Sequence, residues 1–187
     1  MKRLLKIIAA AAVSLMSITA IAFVLSNLRP LDLRDKAAAL KSYCQQRGYN
    51  ADYGVLVDFG RISLKKRLYV YDFNKDKVVM KSLAGHGSGG NSTILRPDFS
   101  NANGSHCSSL GHYKIGRHRH MYNKPAVPAY ELAGLDKTNS NAMDRGILIH
   151  PSVGPLSWGC VTLPVIRYHQ LSEFLKTQTN VIMWVYE

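Results

Sequence analysis

Nineteen consecutive residues, Ile7 to Leu25, carry no charge, and Lys2, Arg3 and Lys6 stand immediately before them. Only Ser14, Ser17 and Thr19 interrupt the apolar run. A membrane-crossing helix needs about 20 apolar residues, and the apolar core of a signal peptide about 7 to 15. The pattern predicts an apolar export helix over residues 1–28, read as an uncleaved signal anchor or as a signal peptide. Ala20-Ile21-Ala22 fits the small-x-small cleavage pattern of the second reading. Basic flanks stay inside, so both readings send the remainder outward, to an extracytoplasmic location. What remains of the 187-residue chain suits one globular domain.

The charge belongs to that domain. With Lys2, Arg3 and Lys6 set aside, 21 Lys and Arg face 12 Asp and Glu, a balance of +9. A basic surface attracts anionic polymers such as nucleic acid, phospholipid headgroups or an acidic wall. No nucleic-acid-binding motif accompanies it, so nucleic acid is not expected as a partner. Three cysteines, Cys44, Cys107 and Cys160, cannot all pair within one chain, and a leftover thiol in an exported protein is a candidate reactive group.

A helix is expected over Asp32–Gln46, because Leu33, Ala37, Leu40 and Cys44 recur at helical spacing and Gly48 follows. Strands are expected at Tyr53–Phe59, Arg67–Phe73 and Val78–Leu83, the last two joined by the turn Asn74-Lys75-Asp76-Lys77. Residues 85–110 are rich in Gly, Ser and Asn, and a loop that long is functional or disordered. Short strands follow at His112–Ile115 and Ala129–Leu135, with Arg117-His118-Arg119-His120 read as a solvated loop. Gly146–His150 and Val181–Tyr186 read as strands, and Pro164–Lys176 as a helix with Pro in its first turn. The sum is a mostly β, β-rich α+β fold. Its expected organisation is an export segment at 1–28, a helix at 29–49 and a domain at 50–187.

The chemistry concentrates in Asp144–Pro164. A strand delivers His150, and ten residues later Ser157-Trp158-Gly159-Cys160 makes a glycine-containing turn. A free thiol has a pKa of about 8.5, so a nucleophilic cysteine needs an imidazole to take its proton or to stabilise the thiolate. Glycine beside the cysteine permits close approach of a substrate backbone, and N–H groups of the turn can hold an oxyanion. A lone cysteine would be read as a small buried hydrophobe; the nearby His150 and the Gly turn favour the nucleophile. Cys107 also has a neighbouring histidine but no strand–turn frame. It ranks below Cys160 and is open to lying in the same cleft, to pairing with Cys44 or to being inert.

Ile149-His150 followed by Ser157-Trp158-Gly159-Cys160 resembles the signature of YkuD-type L,D-transpeptidases, whose motif ends in Ser-His-Gly-Cys. His86-Gly87-Ser88-Gly89-Gly90, Phe99-Ser100-Asn101, Gly104-Ser105, Ser108-Ser109-Leu110-Gly111 and Asn141-Ala142 with Arg145-Gly146 resemble, in order, the murein L,D-transpeptidase catalytic-domain branch. The resemblance covers about residues 50 to 187 and implies an L,D-transpeptidase-like β-sandwich or barrel with few helices. It implies Cys160 as the acyl-accepting nucleophile and His150 as base and later acid. It further implies a Gly159 N–H as oxyanion donor and Ser157 as a hydrogen-bonding support. His86, Arg145, Trp158 and Ser108 are its substrate-binding candidates. Arg145 would meet a carboxylate with its guanidinium fork or would instead form a structural ion pair. Three positions depart from the family pattern. Trp158 stands for the motif histidine and offers a stacking surface. Val161-Thr162 stands where an arginine is usual, and Pro151 where glycine is usual.

The expected activity is acyl transfer on peptidoglycan stem peptides, through a Cys160 thioester and without metal or organic cofactor, in the periplasm. The N-terminal segment would make the bacterial inner membrane a partner. An L,D-carboxypeptidase is the nearest alternative. A zinc protein using His86, Cys107, His150 and Cys160, and a non-catalytic wall-binding protein, are the alternatives of other classes.

Overall fold

The computed structural model describes residues 33–121 and 124–187, with the side chains of residues 122–125 left aside. The export segment expected at 1–28 lies outside the described residues. Leu33–Glu187 forms one compact unit, so the first helix belongs to the same body as the strands. Among the described residues, no helix is long and apolar enough to cross a membrane.

The unit is the β-rich α+β fold expected, with two helices. Helix α1, Leu33–Arg47, buries Leu33, Ala37, Leu40 and Cys44, the apolar stripe of the sequence. It stops at Gly48, whose φ of +69° is the left-handed conformation favoured just past a helix end. Strands β1 (Tyr53–Asp58), β2 (Leu68–Asp72) and β3 (Lys77–Ser82) follow. Next come β4 (His86–Gly87), β5 (Gly111–Met121) and β6 (Lys124–Gly134). Then β7 (Leu148–Pro151), β8 (Leu156–Ser157) and β9 (Val161–Leu163) lead to helix α2 (Val165–Lys176) and β10 (Ile182–Tyr186). Pro164 is the residue preceding α2 rather than a member of its first turn. Eight strands form one sheet in the order β3-β2-β1-β10-β5-β6-β7-β9, and β4 and β8 form a small second sheet.

Side chains alternate across a strand, and the two faces of the large sheet are both apolar at its centre. Val55, Val57, Leu68, Val70, Met183 and Val185 join the main core, against which Tyr168, Leu171 and Leu175 of α2 pack. Leu56, Tyr69, Tyr71 and Ile182 point the other way and are covered by Leu33, Ala37, Leu40 and Cys44 of α1. Burial on both faces explains why β1 and β2 read as near-continuous apolar runs.

Two expectations are corrected. The solvated loop at Arg117–His120 is the far half of β5, paired with β6 by His118↔Tyr130, Arg119↔Ala129 and His120↔Pro128. Its residues are polar on both faces, so no alternation marks it as a strand, although the pairing is a hairpin between consecutive strands. The register slips by one residue between Ile115↔Leu132 and His118↔Tyr130. Such a bulge inverts which face later side chains take. Tyr113 and Ile115 face the main core, whereas Arg119 and Met121 come to lie on the face of Ala129. The long segment 85–110 is likewise fixed in place, through β4, a bridge between Phe99 and Ser108, and the polar anchors described below.

Candidate active site

Strands β7 and β9 run parallel, with Ile149↔Val161, His150↔Thr162 and Pro151↔Leu163 in register. A parallel pair demands a crossover. Here residues 152–160 supply it: the chain leaves the sheet, pairs as β8 with β4, and re-enters at β9. Cys160 closes that excursion one position before β9. Register thus sets Cys160 beside Leu148, two positions before His150, which puts the two positions about 7 Å apart along the strand and about 5 Å across. Leu148 and His150 share a face, and the Leu148 N–H donates to Cys160 Sγ at 3.4 Å. The Cys160 thiol in turn points to Gly146 O at 3.9 Å. His150 and Cys160 both line a cleft of about 590 Å³, with Arg145, Trp158, Arg119 and Met121 among its other walls.

The protonation states follow from the partners. His150 Nδ1 lies 2.9 Å from Pro151 O. A carbonyl only accepts, so Nδ1 carries a hydrogen. Cys160 is 8% exposed. Burial pushes its thiol above the ordinary value, against the opposing pull of the Leu148 N–H and the Arg145 charge. A resting thiolate is therefore disfavoured, and the thiol can lose its proton only to a base in the same cleft.

The turn is fixed by backbone contacts. Gly159 has φ +107°, and a Cβ there would stand 2.8 Å from Ile147 Cδ1 and 2.9 Å from Cys107 O. The close approach that this glycine permits within the domain is to the Cys107 backbone. Ser157 Oγ donates to Cys160 O at 2.7 Å. Ser108, expected to meet substrate, is 2% exposed; it accepts from Gly87 N at 2.9 Å and donates to Gly159 O at 3.3 Å. It holds the turn and does not reach the cleft.

His86 is also corrected. It is fully buried, with Nε2 2.9 Å from Thr93 O and Nδ1 2.6 Å from Arg67 Nη2. The carbonyl fixes the hydrogen on Nε2, and Nδ1 accepts from the guanidinium. Burial, then the Arg67 charge, pushes its pKa down to about 4. His86 pins the 85–110 segment to the core. Arg145 lines the cleft, but its Nη1 donates to Ser100 O at 2.9 Å, and its Nη2 donates to Cys107 O and to Ser105 Oγ. Its fork is occupied by the 100–109 loop, so loop anchoring rather than carboxylate binding is what these contacts provide. Trp158 is 69% exposed and stacks on His106 with centroids 5.1 Å apart.

All three thiols are free, which rules out a Cys44–Cys107 pair in this structure. Among the described residues, no three His, Cys, Asp or Glu side chains gather as a metal-binding group. Sequence reasoning missed Arg119, Met121, Leu148, Ser88 and Leu156 as walls of the cleft. Only Arg119 and Met121 left a signal, their spacing of two.

A family model described as L,D-transpeptidase catalytic domain matches residues 28–184. No curated protein matches the chain. Solved structures similar to it include an L,D-transpeptidase from Xylanimonas cellulosilytica, with 14% identity, TM-score 0.43, and coverage of 78% of this chain and 68% of that one. An L,D-transpeptidase from Mycobacterium smegmatis gives 12% identity, TM-score 0.43, and coverage of 73% and 59%. A mutant L,D-transpeptidase of Enterococcus faecium gives 14% identity, TM-score 0.45, and coverage of 72% and 50%. The chain thus spans between half and about two-thirds of these solved chains.

Proposed function

The chain belongs to the L,D-transpeptidase catalytic-domain family, and on that premise we propose that it is an exported acyltransferase of peptidoglycan stem peptides with Cys160 as nucleophile. The observation that carries this reading is the β7–β9 pairing, which brings Cys160 and His150, whose Nδ1 hydrogen is directed at Pro151 O, to one cleft. His150 Nε2 takes the thiol proton as sulfur attacks the carbonyl that precedes a terminal D-residue. The carbonyl electrons move to oxygen, which N–H groups of the Trp158-Gly159-Cys160 turn would hold. The C–N bond then breaks, the imidazolium returns the proton to the leaving amine, and a thioester remains. An amine from a second stem peptide loses its proton to His150, attacks the thioester and restores the thiol. Water in place of that amine gives the carboxypeptidase reaction. Burial disfavours a resting thiolate, which favours proton removal that accompanies attack.

The basic surface, +9 without the first six residues' charges, would hold the domain against an acidic wall. Residues 1–28 would carry it across the inner membrane as anchor or signal peptide, which cell fractionation and the intact mass of the mature protein distinguish. The reaction is tested with purified disaccharide-tetrapeptide. Release of D-Ala with cross-linked dimers indicates transfer; release with tripeptide alone indicates hydrolysis. Cys160→Ala is expected to abolish both. D-Ala release that survives this substitution refutes the assignment, and binding without turnover by the unaltered protein points to the wall-binding alternative.

A further inference from the structure

The cleft contains a cation that the reaction as described does not use. Arg119 reaches it only because of the β5 bulge, which turns Arg119 and Met121 onto the face shared by Ala129, Leu148 and Cys160. The other arginine of the cleft, Arg145, has both terminal nitrogens on the 100–109 loop. Arg119 is differently placed. Its Nε donates to His120 O at 3.2 Å and its Nη1 to Glu131 Oε1 at 3.2 Å, while Nη2 has no partner among the described residues. Glu131 is shared with Arg117, which lies 3.5 Å from the same carboxylate oxygen. Two guanidiniums on one carboxylate leave one positive charge over, and Arg117 is 78% exposed while Arg119 faces the cleft. Meanwhile Val161 and Thr162, which follow the nucleophile, offer no charge to a substrate, and both are buried.

We propose that Arg119 is the specificity residue of this cleft and binds the terminal carboxylate of the donor peptide. This rests on the acyl-transfer reading above. A guanidinium partly held by Glu131 loses little conformational freedom on binding and presents its remaining N–H donors as a planar fork, the geometry a carboxylate takes. The carboxylate of a leaving terminal residue sits one residue beyond the scissile carbonyl, so a cation on the strand wall facing Cys160 can pair with it while sulfur attacks. The same contact discriminates against a peptide whose end is uncharged.

The test compares two donors, a tetrapeptide stem ending in free D-Ala and the same stem ending in D-alaninamide, on the full domain and on Arg119→Gln. The unaltered enzyme is expected to favour the acid in kcat/KM by about tenfold to a hundredfold, the range of one charge-assisted hydrogen-bonded pair. In Arg119→Gln that preference falls to within about threefold, through loss on the acid alone. Turnover of the amide stays near its original value and shows that the fold and nucleophile are intact. An unchanged acid-to-amide ratio in Arg119→Gln, or an equal loss on both donors, overturns the inference. If the unaltered enzyme cleaves neither donor, the acyl-transfer reading itself has failed.

Discussion

Replacing Gly159 with alanine perturbs the turn at its tightest point. The residue sits at φ +107°, a conformation that side-chain-bearing residues rarely adopt, and the added methyl would meet Ile147 Cδ1 at 2.8 Å, Cys107 O at 2.9 Å and Arg145 Nη2 at 3.1 Å. Backbone strain of that kind costs about 1–3 kcal/mol. The contacts cost roughly 1–3 kcal/mol more, because the Cys107 carbonyl is bound by Arg145 Nη2 and yields little. A total of about 4 kcal/mol lowers Tm by roughly 8–16 °C in a unit of this size. Relief by moving the turn displaces Cys160, and a shift of about 1 Å costs on the order of a hundredfold in rate. Gly48→Ala is the matched control. Its φ is +69°, but nothing lies within 4 Å of the new methyl, so it should cost only about 1–2 kcal/mol and leave kcat/KM unchanged. Calorimetry and D-Ala release on the two variants check this. If Gly159→Ala melts within about 2 °C of Gly48→Ala and keeps its rate, the turn is not the constraint described.

Three further outcomes are expected. Arg145→Ala strips donors from Ser100 O and Cys107 O, so stability should fall by at least about 2 kcal/mol, with faster amide hydrogen exchange at residues 100–109 on mass analysis. His86 holds its folded pKa at about 4, below the ordinary 6.5. The unfolded chain therefore takes up a proton first as pH falls, and stability should drop between about pH 6.5 and 4 by up to about 3 kcal/mol. Denaturant titration across that window should show a shallower slope in His86→Gln. Burial places the Cys160 thiol above the ordinary range, so its thiolate absorbance, taken as the difference from Cys160→Ala, should appear at higher pH than that of an exposed cysteine. A thiolate already present at neutral pH would refute proton removal concerted with attack.

Much of the frame was legible because it is amphipathic on a local period. The stripe Leu33, Ala37, Leu40 and Cys44 predicts α1 to within a residue at each end, and β1, β2, β3, β7 and β10 announce themselves as apolar or alternating runs. The outer half of the β5–β6 ribbon was not legible. Arg117 to His120 carry no alternation, and Pro125 and Pro128 argue against a strand in β6, so neither arm of this hairpin announces itself. At the site, the spacing of His150 and Cys160 in a strand–turn setting was readable, and parallel register gives it a cause. The placement of His86, Ser108 and Arg145 was not. A polar side chain that anchors a loop and one that meets a ligand use the same residue types. Only the positions of Arg67, Gly159 and the Cys107 carbonyl show that these three are anchors.

The claim that Cys160 alone is the acyl acceptor is tested most directly by intact-protein and peptide mass spectrometry after incubation with a carbapenem. One covalent adduct is expected on the unaltered protein, mapped to Cys160, retained in Cys107→Ala and missing from Cys160→Ala. An adduct that persists in Cys160→Ala would contradict the account.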